Sequence, residues 1–184
     1  LKPLDTLSQY REVFTFPIED YYKRVGFDFD KIPFSMLAHE YMEDYQEKSY
    51  ACDLHSDVLD VVNKAKNLGF SQTVLSASKM DYLLKQMETL HVDDLFDSIY
   101  GINDIYAKSK VELAHAFKQT CSLDDEIYFV GDSVHDYEVA KNIGAKCILV
   151  TTGHQNRATL ESVNVPVMDS LMESLDLIYE RDKD

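Results

Sequence analysis

The sequence predicts an α/β fold, a parallel sheet with helices packed on it, entered through a small helical unit. Three observations carry that prediction. From about residue 54 onward, short β-rich runs alternate with stretches of helical period, the pattern of strands joined by right-handed crossovers. Before residue 50 the chain instead clusters aromatic and acidic residues, including Tyr10, Phe14, Phe16, Tyr21, Tyr22 and Phe34, and reads as helix. The length of 184 residues and a hydrophobic content of 45% suffice to bury a real core.

Taken in order, segments 5–14, 17–25 and 33–50 read as helices, with Pro17 and Pro33 suited to first-turn positions. Residues 1–52 are therefore expected to form a helical subdomain whose aromatic side chains make its own core. Residues 53–184 are expected to form the α/β unit. Residues 56–68 place Val58, Val61, Val62, Ala65 and Leu68 on one helical face, stopped by Gly69. A strand at 72–76 leads into a helix at about 79–90, and 98–101 is a weaker strand candidate. A helix at 109–120, a strand at 126–130, a helix at 134–143 ended by Gly144 and a strand at 146–150 follow. In parallel sheets ligands gather at the carboxyl ends of strands, so chemistry is expected just after residues 76, 101, 130 and 150.

The balance of 33 acidic against 18 basic residues, a net charge of −15, repels phosphate backbones and argues against nucleic-acid binding. A small anionic substrate would need a locally positive site, from a metal or from placed lysines. Cys52, Cys121 and Cys147 are odd in number and far apart, which suits a reducing, cytoplasmic setting with thiols acting as small hydrophobes. No run approaches the length of a membrane span, so no membrane partner is expected.

The strongest chemical signal is Gly131-Asp132-Ser133-Val134-His135-Asp136, which follows the apolar run Ile127–Val130. Glycine allows backbone and metal to approach closely, and two carboxylates at a strand tip offer the hard oxygen ligands that suit Mg²⁺. Helix capping alone would explain Asp132 or Ser133, but it explains the whole cluster less well.

This segment, with Ala140, Gly144 and Ala145 after it, resembles the fourth motif of the haloacid dehalogenase-like hydrolases, in their phosphoglycolate phosphatase-like branch. The likeness in element order runs from about residue 54 to the end, and the first third resembles that branch's helical cap. The resemblance implies hydrolysis of a small phosphorylated metabolite through an aspartyl-phosphate, with Mg²⁺ held by Asp132 and Asp136. It also implies that Ser76, at the tip of Thr73-Val74-Leu75, holds a phosphate oxygen, aided by backbone N–H groups at Ala77 and Ser78. The site lysine falls in Tyr106-Ala107-Lys108-Ser109-Lys110, with Lys110 the first choice and Lys108 the alternative. Thr151-Thr152-Gly153-His154 occupies a loop that shapes the site in family members, although an exposed histidine there needs no role.

One family motif finds no match. An apolar strand ending in Asp-x-Asp-Gly-Thr should carry the nucleophile, yet the sequence starts at Leu1 and contains no such segment. Asp28-Phe29-Asp30 lacks a buried strand before it and has Lys31-Ile32 in place of Gly-Thr, so it reads as a polar cap loop. The family's nucleophile strand is central, between the strands at 72–76 and 126–130, so two neighbouring edges are expected to lack their partner. The chain as written is then expected to be inactive, its first motif lying upstream. A non-catalytic phosphate- or metal-binding module, or a sibling reaction such as a phosphomutase or phosphonate hydrolase, are the competing expectations.

Overall fold

The computed structural model describes residues 3–102 and 109–183. Three helices open the chain: α1 (Leu7–Val13), α2 (Ile18–Arg24) and α3 (Phe34–Ser49). Pro17 and Pro33 are the residues before α2 and α3, one position earlier than first-turn prolines. Edge-on and tilted ring contacts hold this part together, with Phe14 buried against Tyr10, Phe16 and Tyr21.

The α/β part follows in the expected order. Helix α4 (Val58–Asn67) buries Val62 and Ala65. Strand β1 (Thr73–Lys79) pairs in parallel with β2 (Ser98–Ile102), and α5 (Met80–Thr89) connects them. Helix α6 (Lys110–Thr120) leads to β3 (Tyr128–Gly131), α7 (Val134–Ile143) and β4 (Lys146–Val150). Three further elements, α8 (Arg157–Glu161), β5 (Val167–Met168) and α9 (Leu171–Arg181), complete the chain. Helices α6, α7, α8 and α9 each start on a Ser or Asn whose side chain accepts a backbone N–H three residues on. Asp57, beside α4, instead serves α9, accepting from the N–H groups of Leu171 and Met172.

The described strands form two sheets, β1–β2 and β3–β4–β5, each parallel throughout. Alternation along β1 sends Val74 to α5, with Leu83, Met87 and Val92, and Leu75 to α6 and α7, with Ala114, Val139 and Ile143. The second sheet buries Ile148, Leu149 and Val150 of β4 almost completely. Cys147 lies beside them, and burial and then Asp136 push its thiol up to about 12, as befits an inert core group.

No described strand lies between β1 and β3. A cleft of about 540 Å³ opens there, walled by Thr73 and Leu75 on one side and by Tyr128, Phe129 and Val130 on the other. Phe117 of α6 and Cys121 just after it border the cleft, and Lys110 stands among the same lining residues. Every residue of β3 is consequently only half-buried, whereas four of the five residues of β4, one strand further in, are buried. Leu149→Ala should thus cost about 2–5 kcal/mol in urea unfolding, and Val130→Ala, at the open cleft, about 1 kcal/mol. Equal losses would show that the cleft is closed in solution.

Candidate active site

The site grows from the end of β3. Gly131 closes the strand because Asp136 lies directly over it: a Cβ at 131 would fall 2.3 Å from the Asp136 Cβ. Asp136 is buried, and its carboxylate is fully engaged. One oxygen, Oδ2, accepts from the N–H of Asp132 at 3.1 Å, the N–H of Ser133 at 3.0 Å and the Ser133 hydroxyl at 2.7 Å. The other, Oδ1, meets the Lys110 Nζ at 2.5 Å. Ser133 in turn accepts from the Asp136 N–H, so the two form a reciprocal capping box at the start of α7. Burial pushes the Asp136 carboxyl up, but the Lys110 ammonium, the Ser133 hydroxyl and the Asp132 N–H outweigh it. The group is held below the usual carboxylate range.

Asp132 is placed differently. Its Oδ2 accepts the His154 backbone N–H at 2.8 Å, and Oδ1 has no partner among the described residues. A Cβ on Gly153 would come within 1.8 Å of Asp132 Oδ2, so only glycine lets the turn after β4 lie against this carboxylate. Gln155, itself buried, accepts the Val134 N–H at 2.7 Å and fixes the first turn of α7 from the same loop.

Of the residues singled out in the sequence, Lys110, Asp132 and Asp136 come together. Lys108 lies outside the described residues. Ser76 follows Leu75, a cleft-lining residue of β1, just as Gly131 follows Val130 of β3. Its hydroxyl oxygen accepts the Ser78 N–H at 3.1 Å, leaving its own O–H to donate. Ala77 and Ser78 continue β1, with a register irregularity against β2 between Leu75 and Lys79, and α5 starts only at Met80. The Ser78 N–H is thereby committed to Ser76 and does not stand at a free helix terminus.

The helical part reaches this site, which the sequence does not reveal. The Tyr10 hydroxyl lies 2.8 Å from His154 Nδ1, and Phe14 stacks on the His154 ring at 4.8 Å. Burial, and then Tyr21, Tyr41 and Asp132, push the Tyr10 hydroxyl up. Phe16 tilts against His135 at 5.6 Å. The aromatics expected to serve only the cap's own core thus also border Asp132. Arg11, Tyr10 and Gln155 carry no motif; their partners lie 21 to 145 residues away in the chain.

A family model described as haloacid dehalogenase-like hydrolase matches residues 4–150, four-fifths of the chain. The chain belongs to the haloacid dehalogenase-like hydrolases. Among solved structures it is similar to a haloacid dehalogenase-like family hydrolase from Streptococcus pneumoniae, with a TM-score of 0.80 and 20% identity over 97% of this chain and 83% of that one. A predicted phosphatase from Clostridium acetobutylicum matches with a TM-score of 0.76 and 20% identity, over 96% and 83% of the two chains. CbbY from Rhodobacter sphaeroides, solved in complex with phosphate, matches with a TM-score of 0.62 and 16% identity, over 90% and 79%. No curated protein matches this haloacid dehalogenase-like chain in sequence. Among its described residues no helix is long and apolar enough to cross a membrane.

The Lys110–Asp136 pair sets a pH signature. With Lys110 present, Asp136 stabilises the fold above the usual carboxylate range, and this contribution is lost as pH falls through its depressed pKa. Lys110→Met leaves a buried carboxylate unpaired, which should cost about 3–5 kcal/mol at pH 7. Burial then dominates, the folded-state pKa moves above the unfolded value, and the deficit should shrink as pH drops below it. Thermal melts of both proteins from pH 7 to 4 check this; a deficit that does not change with pH would contradict it.

Proposed function

We propose that the protein, in its complete form, hydrolyses a small phosphomonoester through an aspartyl-phosphate, with residues 1–52 acting as a cap over the core at 53–184. The observation that carries this is the joining of Asp132, Asp136 and Lys110 at the carboxyl end of a cleft between two parallel strands. The nucleophilic aspartate would sit on a strand seated in that cleft. Asp97, Asp125 and Glu126, the described carboxylates that border it, precede β2 and β3 and so belong to its amino end.

The donor set fits a hard divalent cation at Asp132, whose Oδ1 has no partner among the described residues and whose cradle against Gly153 has no room for a Cβ. Asp136 suits a different role. Its two oxygens are committed, so we assign it to orienting Lys110 and the Asp132 backbone rather than to direct ligation. Mg²⁺, when bound, would supply charge neutralisation at the phosphoryl oxygens. Lys110 would place a second positive charge on the transferring group, held in line by Asp136. Ser76 would donate its O–H to a phosphate oxygen from β1. The phosphate bound to the Rhodobacter relative supports an anion site in this fold.

A non-catalytic binding module remains the second reading. It draws on the same cluster of Lys110, Asp132 and Asp136, which would hold an ion or a phosphate whether or not turnover follows. Full-length protein assayed on phosphate esters decides between them. Activity should require Mg²⁺, disappear with a chelator and fall by at least about 100-fold in Asp132→Asn. Phosphate binding without turnover would favour the module, and turnover unaffected by Asp132→Asn would overturn the mechanism.

A further inference from the structure

Arg11 is used in a way that charge pairing does not explain. In a chain with 33 acidic and 18 basic residues, its guanidinium donates to two carbonyls: Nε to Gly153 at 2.8 Å and Nη2 to Thr152 at 3.1 Å. The clasp is returned, since Asn156 Nδ2 donates to the Arg11 carbonyl at 3.3 Å. The planar fork of arginine suits two neighbouring acceptors in a way that the point charge of lysine does not. The turn held this way runs directly into His154, whose N–H orients Asp132 Oδ2, and includes Gly153, which lies against that carboxylate.

We infer that Arg11 is a positioning residue for Asp132. By clamping the Thr152 and Gly153 carbonyls it fixes the turn whose N–H orients the Asp132 carboxylate, so the seating of α1 on the core sets the site's affinity for a divalent cation. This rests on the reading of Asp132 as a cation ligand. Groups that orient a ligand typically change metal affinity 10- to 100-fold when removed. Tyr10, on the turn of α1 that carries Arg11, touches the His154 ring and adds a second hold on the same backbone.

Mn²⁺ serves as the probe, its affinity read by water-proton relaxation on the full-length protein, with melting temperature measured alongside. Arg11→Ala should weaken Mn²⁺ by about 10-fold or more. Arg11→Lys, which keeps charge and reach but not the fork, should fall between it and the wild type, and it carries the comparison if Arg11→Ala fails to fold. Asp132→Asn should all but abolish binding. If Asp132→Asn loses Mn²⁺ while both Arg11 variants bind like the wild type, the positioning role is wrong and the cation reading stands. If Asp132→Asn binds normally, or the wild type does not bind Mn²⁺ at all, the cation reading falls and the positioning role with it.

Discussion

Asp136 is the group on which the rest of the structure depends. Its carboxylate gathers a serine hydroxyl, two consecutive backbone N–H groups and the Lys110 ammonium. Those contacts fix the start of α7, the start of α6 and the end of β3 together. The consequence is large because the two sheets share no backbone hydrogen bonds among the described residues. What joins them is the layer of α6 and α7, where Ala114, Val139 and Ile143 pack between Leu75 of β1 and Phe129 of β3. The ion pair is the polar end of that layer. A buried pair contributes little net stability against an apolar equivalent. Its value is geometric: it allows one arrangement of strand tip, helix start and lysine.

The cleft is the counterpart of that tie. In α/β proteins parallel strands are covered on both faces and paired on both edges except at the rim of the sheet. Here β1 and β3 face each other with neither edge paired across the gap, although each is backed by packed helices. Unpaired strand edges are costly when buried and adhesive when exposed. All of β3 is only half-buried, so this edge forgoes the apolar burial that β4 enjoys. The chemistry clusters at the carboxyl mouth of the same gap, so the weakest seam of the fold and its candidate site coincide.

How much of this was legible in the sequence follows from the range of each interaction. Helix α7 was readable to the residue because its start, Ser133 with Asp136, and its stop, Gly144 at φ +70°, are local signals. The Gly-Asp-Ser-x-x-Asp cluster was readable for the same reason. The pairing of Lys110 with Asp136 was not, because the two lie 26 residues apart. Beyond the loop that follows β4, the remaining elements escaped notice. Strand β5 has two residues, too few for a period, and α9 is anchored in part by Asp57, over a hundred residues upstream. The hold of Arg11 on Thr152 and Gly153 is longer in range still, and its acceptors are backbone carbonyls, which no sequence pattern marks.

Charge gives a last constraint on the proposed reaction. The site places two carboxylates, Asp132 and Asp136, within a chain of net charge −15, and a phosphate ester arrives as an anion. Lys110 offsets Asp136, to which it is bonded, and among the described residues no cation pairs with Asp132. Arg11, a described cation close by, is turned onto carbonyls. The described groups alone therefore leave the Asp132 side of the site negative. A divalent ion on Asp132 reverses that sign, because its charge exceeds that of the one carboxylate it meets. The same reasoning explains why Asp136 serves better as the partner of Lys110 than as a ligand. Drawing it toward a metal would release the lysine from its carboxylate partner, leaving it only its place over the Phe129 ring among the described contacts, and the site would lose an aligned cation in gaining a ligand.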